Sequence, residues 1–259
     1  MSLLQHLLAF GSGSLVGFSL GLVGGGGSIL AVPLLVYVVG VTNPHMAIGT
    51  SAVAVAANAA VNLGSHFRNG AVKWRCAGVF AAAGVGGALL GAFLGRQVNG
   101  ERLLALFAVL MIVVGVLMLR RRSGQGEADV RLGRDNLLKL VGFGSTTGLL
   151  SGFFGIGGGF LIVPGLIMAT GMPILNAMAS SLVAVTAFGL TTSASYATAG
   201  LVDWRLAGVF VAGGVLGGLL GTRLARVVNR RRGALNVLFA GLIFVVAAYM
   251  LARNAAAFL

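Results

Sequence analysis

Gly24-Gly25-Gly26-Gly27-Ser28, followed by Pro33, has a second copy in Gly155-Ile156-Gly157-Gly158-Gly159, followed by Pro164. Both copies sit inside apolar stretches too greasy for surface loops. Glycine destabilises a helix interior by about 1 kcal/mol per residue relative to alanine, so a run of glycines predicts a break. A break at membrane depth frees backbone N–H groups to which lipid offers no partner. It is tolerated only where it packs on protein or lines a cavity. The helix that restarts near Ser28 or Gly159 then points its positive N-terminal end into that space. The two runs read as facing halves of one anion site. The competing reading is that the glycines only let helices pack closely.

Composition sets the class. Hydrophobic residues make up 58% of the 259-residue chain and charged residues 9%, with a mean hydropathy of +1.00. A soluble domain carries roughly 25% charged residues. Apolar stretches long enough to span a bilayer recur along the whole length, so the chain reads as an all-α polytopic membrane protein of the cytoplasmic membrane. The first stretch, Leu3–Leu22, has no basic region before it and no cleavage site after it, so it is not read as a signal peptide. The net charge of +13 does not suggest nucleic acid, because the basic residues lie in short loops and at helix ends. One cysteine, Cys76, excludes an internal disulfide and a cysteine-rich metal site. His6, His45 and His66 have no ligand spacing and read as scattered loop or interface histidines.

The chain is internally duplicated. Residues 72–99 align with 202–229 at an offset of 130, with 18 of 28 positions identical, Trp74/Trp204, Arg75/Arg205, Gly84/Gly214 and Asn99/Asn229 among them. Upstream the offset is 131, matching Gly13, Gly17, Gly21 and Gly24 to Gly144, Gly148, Gly152 and Gly155. Residues 1–122 and 136–259 are therefore read as two transmembrane repeats, joined by a polar cytoplasmic linker at 123–135. Repeats of this kind mark transporters, with the site at the repeat interface.

Each half reads as five hydrophobic elements: a glycine-broken hairpin plus three spanning helices, or eight to ten segments in all. In the first half, residues 3–22 form a helix whose Gly13, Gly17 and Gly21 make one smooth face. Residues 29–41 are too short, at about 20 Å, for a hydrocarbon core of about 30 Å. They form a half-helix or part of a re-entrant hairpin. The third element, 45–66, carries the polar side chains. The fourth, 74–95, is a glycine-spaced packing helix headed by Trp74, which fits the interfacial aromatic belt. The fifth, 103–119, is uniformly apolar, as a lipid-facing helix would be.

Counting basic residues chooses between parallel and inverted repeats. With five passes per half the second repeat is inverted, and 14 of the 18 basic residues fall inside. Only Arg96, Arg102, Arg205 and Arg253 then lie outside, together with both termini. The parallel alternative, with four passes per half, puts 11 inside.

Candidate substrate-binding residues are Gly24, Gly25, Gly26, Gly27 and Ser28, and Gly155, Gly157, Gly158 and Gly159. On the third element of each half stand Thr50, Ser51 and Asn58, and Ser180, Ser181 and Thr186. Hydroxyls and amides donate hydrogen bonds to an anion without carrying charge. Each single hydroxyl also has the plainer option of bonding back to its own helix. No Asp, Glu, Lys or Arg lies clearly mid-span, no base stands beside a nucleophile, and neither glycine run is followed by the Lys-Ser or Lys-Thr of a phosphate loop. No catalytic residue, metal ligand or cofactor is therefore assigned.

The glycine run with its proline, the hydroxyl pair about 17 residues after that proline, and the Gly-x-Val-x-Trp loop (70–74 and 200–204) occur in both halves. Together they resemble the TauE/SafE sulfite exporter family, also called the 4-toluene sulfonate uptake permease family. The resemblance covers nearly the whole chain. It implies a membrane permease for sulfite, sulfonates or related small sulfur-containing anions. Among the positions where the halves differ, Ile156 stands opposite Gly25, and Asp203 stands opposite Lys73, which leaves Asp203 without an assigned role. The expected partners are a small inorganic or organosulfur anion and the lipid bilayer, with no nucleic acid and with self-association open. A passive anion channel, or a membrane scaffold whose glycines only pack helices, are the alternatives.

Overall fold

The computed structural model describes residues 3–67, 70–120, 133–227 and 232–254; side-chain surroundings are described for these apart from 23–26, 65–67, 118–120, 134–135, 225–227, 232–240 and 242. Every regular element among the described residues is helical. The long helices are α1 (Leu3–Val23), α3 (Pro44–Phe67), α4 (Trp74–Gln97), α5 (Gly100–Arg120), α6 (Arg134–Phe154), α8 (Ile174–Thr198), α9 (Trp204–Val227) and α10 (Arg232–Asn254). Among the described residues, seven helices are long and apolar enough to cross a membrane. Two shorter segments interrupt the pattern. After α1 the chain runs as a 3-10 helix (Gly24–Leu30), a single α turn α2 (Ala31–Pro33) and a π turn (Leu34–Val38). After α6 comes α7 (Gly159–Thr170).

The glycine faces decide which helices pair. A Cβ on Gly13, Gly17 or Gly21 of α1 would run into the backbone of Phe210, Gly214 or Gly218 on α9. The numbers rise together, so α1 and α9 run parallel with their backbones in contact. On α6, Gly144, Gly148 and Gly152 meet Phe80, Gly84 and Ala88 of α4 in the same way, again parallel. By contrast α3 and α8 are antiparallel: Gly49 lies against Tyr196, and Gly189 against Ala52 and Ala56. Helix α5, read as lipid-facing, keeps Leu106, Val109 and Val113 exposed on one side. Its other side packs on α10 and, through Phe107 and Phe154, on α6, and Leu104, Phe107, Ala108 and Met111 are buried. An apolar sequence does not say which of its faces meets protein.

The pairings fix the trace. Thr50, near the start of α3, touches the start of α9 at Asp203, so α1, α3 and α9 all begin at one end of the bundle. Because α1 and α3 point the same way, the segment 24–38 carries the chain back between them. Likewise α6 rises toward that end and α7 returns from it, before α8 begins at the opposite end beside Lys73 and Ala71. Outward faces are apolar, with Leu89, Leu90 and Phe93 on α4 and Leu216, Leu219 and Leu220 on α9 exposed. Trp74 and Trp204 are exposed at the heads of α4 and α9.

Candidate anion site at the hairpin tip

The second glycine run closes α6 and opens α7 inside the protein. Gly155 adopts φ 66°, a left-handed value. Its N–H bonds the Gly152 carbonyl at 3.2 Å, and the Ile156 N–H bonds the Ser151 carbonyl at 3.3 Å. This is the Schellman arrangement that ends many helices, and it asks for glycine at the left-handed position. Gly157 (φ 65°) and Gly158 (φ 64°) continue the left-handed turn. Helix α7 then starts with no side-chain cap. All residues from 154 to 160 are buried.

The turn therefore exposes donors where water is scarce. Among the described residues, the N–H groups of Gly157, Gly158 and Phe160 have no close acceptor, while the left-handed turn at 157 and 158 brings the Gly159 N–H toward the Ile156 carbonyl. The side chain nearest to Gly158 is Ser151. Its hydroxyl is buried and has no hydrogen-bond partner. Such a cluster of N–H groups at a helix start, with the positive end of the helix dipole behind it, has the donor chemistry that suits an anion. The tip lies at mid-depth. Gly157 faces Val55, near the middle of α3, and Val185, its equivalent near the middle of α8.

The first run is built differently. Gly24–Leu30 forms a 3-10 helix, and regular α structure begins at Ala31 rather than Ser28. Glycine takes either sign of φ at little cost, so the composition of a run does not choose between a left-handed turn and a tight right-handed one. Gly27 packs back on Ser19 and Leu20, as Gly158 does on Ser151. The surroundings of Gly24, Gly25 and Gly26 lie outside the described residues. The 3-10 segment packs against α7 and α8, and Ser28 is buried.

Of the hydroxyl residues, Ser51 comes to the tip. It donates to the Ile48 carbonyl at 2.8 Å, with the Gly155 carbonyl 3.4 Å away. Ser181 bonds back to Met178, and Thr186 to Leu182. Thr50 and Ser180 instead tie loops: their oxygens accept the N–H of Asp203 at 3.0 Å and of Lys73 at 2.9 Å. Asp203 acquires a role here, because its carboxylate accepts the N–H of Arg205 and Leu206 and so caps α9. Asn58 is fully buried beside Gly214, and neither atom of its amide group is bonded. It lies on the α9 side of α3, away from the tip. Thr50→Val should leave the Asp203 N–H without an acceptor and cost about 1–3 kcal/mol of stability. A thermal melt unchanged from the parent protein would remove this tie.

Sequence reasoning missed Ser151. It lies four residues before Gly155, but the repeat equates it with Leu20, and an apolar equivalent hides a polar residue.

A bundle of long apolar helices with a helix–turn–helix tip buried at its centre is the build of a multi-pass membrane protein. The sulfite exporter TauE/SafE family profile matches residues 9–250, and the chain belongs to that family. It is 52% identical to a probable membrane transporter protein of Xylella fastidiosa strain 9a5c, over 98% of each chain. It is 26% identical to the probable membrane transporter protein YunE of Bacillus subtilis, over 79% of this chain and 83% of that one. No solved structure matches it.

Proposed function

We propose that the protein is a secondary transporter of the cytoplasmic membrane that moves a small anion, with sulfite or a sulfonate as its substrate class. The observation that carries this reading is the buried tip at 155–160, with its unengaged N–H groups and the unpartnered Ser151 hydroxyl. Several neutral donors at once offset the cost of desolvating an anion without a buried cation beside it. The relatives' names support transport and say nothing of substrate. Ser51, Ser181 and Thr186 join the site by turning their hydroxyls from the helix backbone to the ligand, and the glycines 24–27 with Ser28 face it from the first half. The parallel α1–α9 and α4–α6 pairs, with α3 and α8 antiparallel, support two inverted repeats. Alternating access then rocks one repeat against the other.

Uptake of labelled sulfite by purified protein in liposomes tests the proposal. Ser151→Ala should raise the half-saturating concentration roughly tenfold, the scale of one hydrogen bond to a charged group. It should not disturb folding, since that hydroxyl makes no bond in the protein. Unchanged uptake would remove Ser151 from the site, and liposomes that take up no sulfite, sulfonate or thiosulfate would end the transport reading. Topology is tested separately. A reporter active only in the cytoplasm, fused to Leu259, should stay silent, because the inverted arrangement puts both termini outside with only four basic residues. A strong signal there would reverse the orientation.

A further inference from the structure

At the end of the bundle where α3 begins, several polar side chains each keep a buried atom without a partner. Arg96, near the end of α4, turns inward and donates from one terminal nitrogen to the Ser195 carbonyl of α8 at 3.0 Å. Its Nε is buried and bonds nothing. Tyr196 is fully buried, and its hydroxyl also lacks a partner. The His45 ring stands 6.4 Å from the Tyr196 ring, held against the backbone at Val98, with Nδ1 buried and unpartnered. Gly49 makes room for Tyr196: a Cβ there would crowd it. One turn deeper on the same face of α8, the Thr192 hydroxyl is buried and unbonded as well.

We propose that Arg96, Tyr196, His45 and Thr192 form a second anion-binding station, which holds the small oxyanion on its way to or from the hairpin tip. The inference rests on the transport reading above and extends it to a site of opposite character. The tip offers neutral donors; this station offers a full positive charge. Buried polar atoms without partners are costly, and four of them on neighbouring turns at one end of α3, α4 and α8 call for an occupant. The charge decides which. No carboxylate among the described residues pairs with Arg96, and a guanidinium presents a fork of donors that matches an oxyanion. The Ser195 carbonyl holds one arm of that fork, which leaves Nε free to meet the ligand. From Tyr196, α8 leads through Thr192 to Val185 at the tip, a path of roughly 16 Å over 11 residues.

Isothermal titration of the purified protein with sulfite separates the two sites. The parent protein should bind at two sites. Tyr196→Phe removes one oxygen that bonds nothing within the protein, so a purely structural tyrosine predicts no loss of binding and no loss of stability. The station predicts that Tyr196→Phe weakens one site about tenfold or more, that Arg96→Gln abolishes it, and that both leave the other site intact. Ser151→Ala should do the converse. Wild-type stoichiometry and affinity in both Tyr196→Phe and Arg96→Gln would overturn the station and leave the cluster holding water only. If Arg96→Gln does not fold, Tyr196→Phe decides alone. Loss of one site in Tyr196→Phe with no effect of Ser151→Ala would keep the station and end the reading of the tip. A parent protein that binds neither sulfite nor methanesulfonate would end both.

Discussion

Gly148→Ala should prevent α4 and α6 from closing on each other, and folded protein should be largely lost. A Cβ at Gly148 would overlap the Gly84 carbonyl oxygen, and a Cβ at Gly17 would overlap that of Gly214 on the other pair. Neither obstacle is a flexible side chain that can swing aside, so the backbones themselves must separate. Overpacking costs about 1–3 kcal/mol even where side chains can shift. Here the displacement propagates to Gly144 and Gly152, which depend on the same close approach. The control is internal. Gly78, Gly86 and Gly208 lie in the same paired helices with nothing within 4 Å of a Cβ, and alanine there should stabilise by up to about 1 kcal/mol through helix propensity. Thermal melts and the yield of monodisperse protein would measure both directions. Gly148→Ala and Gly86→Ala melting alike would refute the contact.

Gly158→Val should abolish anion uptake. The substitution puts a β-branched residue at φ 64°, where L-residues are strained by about 1–2 kcal/mol. Its Cβ would also lie 2.7 Å from the Ser151 hydroxyl, so that side chain must leave. The turn that aims the N–H groups of Gly157, Gly158 and Phe160 would reorganise, and the valine methyls would fill the space left for the ligand. Uptake by liposomes carrying the variant, with gel filtration to verify that it remains folded, would check this. Transport at the parent rate in a folded Gly158→Val protein would mean that the ligand binds elsewhere.

Much of the frame was legible in the sequence, for simple reasons. Membrane spans need long apolar runs, so α3 and α4, at Pro44–Phe67 and Trp74–Gln97, fall within a few residues of the expected 45–66 and 74–95. Glycines four apart announced faces for close packing. They did not name the partner: a smooth face is the same whether α9 or a neighbour in sequence lies on it. The hydroxyls were harder. Thr50 and Ser51 look alike in the sequence, yet one accepts a loop amide and the other donates to its own helix beside Gly155. Arg96 read as one of four charges outside the membrane. Its long stem lets the guanidinium fold inward onto Ser195, and no spacing rule reports that. His45 read as a scattered loop or interface histidine. It lies beside the fully buried Tyr196, with which only the fold brings it together.

The pairing of α1 with α9 sets the order of events during synthesis. Helix α1 ends at Val23, and its partner does not begin until Trp204. At roughly 5–20 residues per second, the glycine face of α1 waits on the order of 10–40 s for the backbone it is shaped to meet. In that interval it is a surface of bare peptide in lipid, attractive to any other small-residue helix, including another copy of itself. The pair α4 and α6 closes much sooner. The α4–α6 pair is thus closed while the first helix still lacks α9. Failed assembly in a destabilised variant would begin there, as a mispaired amino-terminal helix.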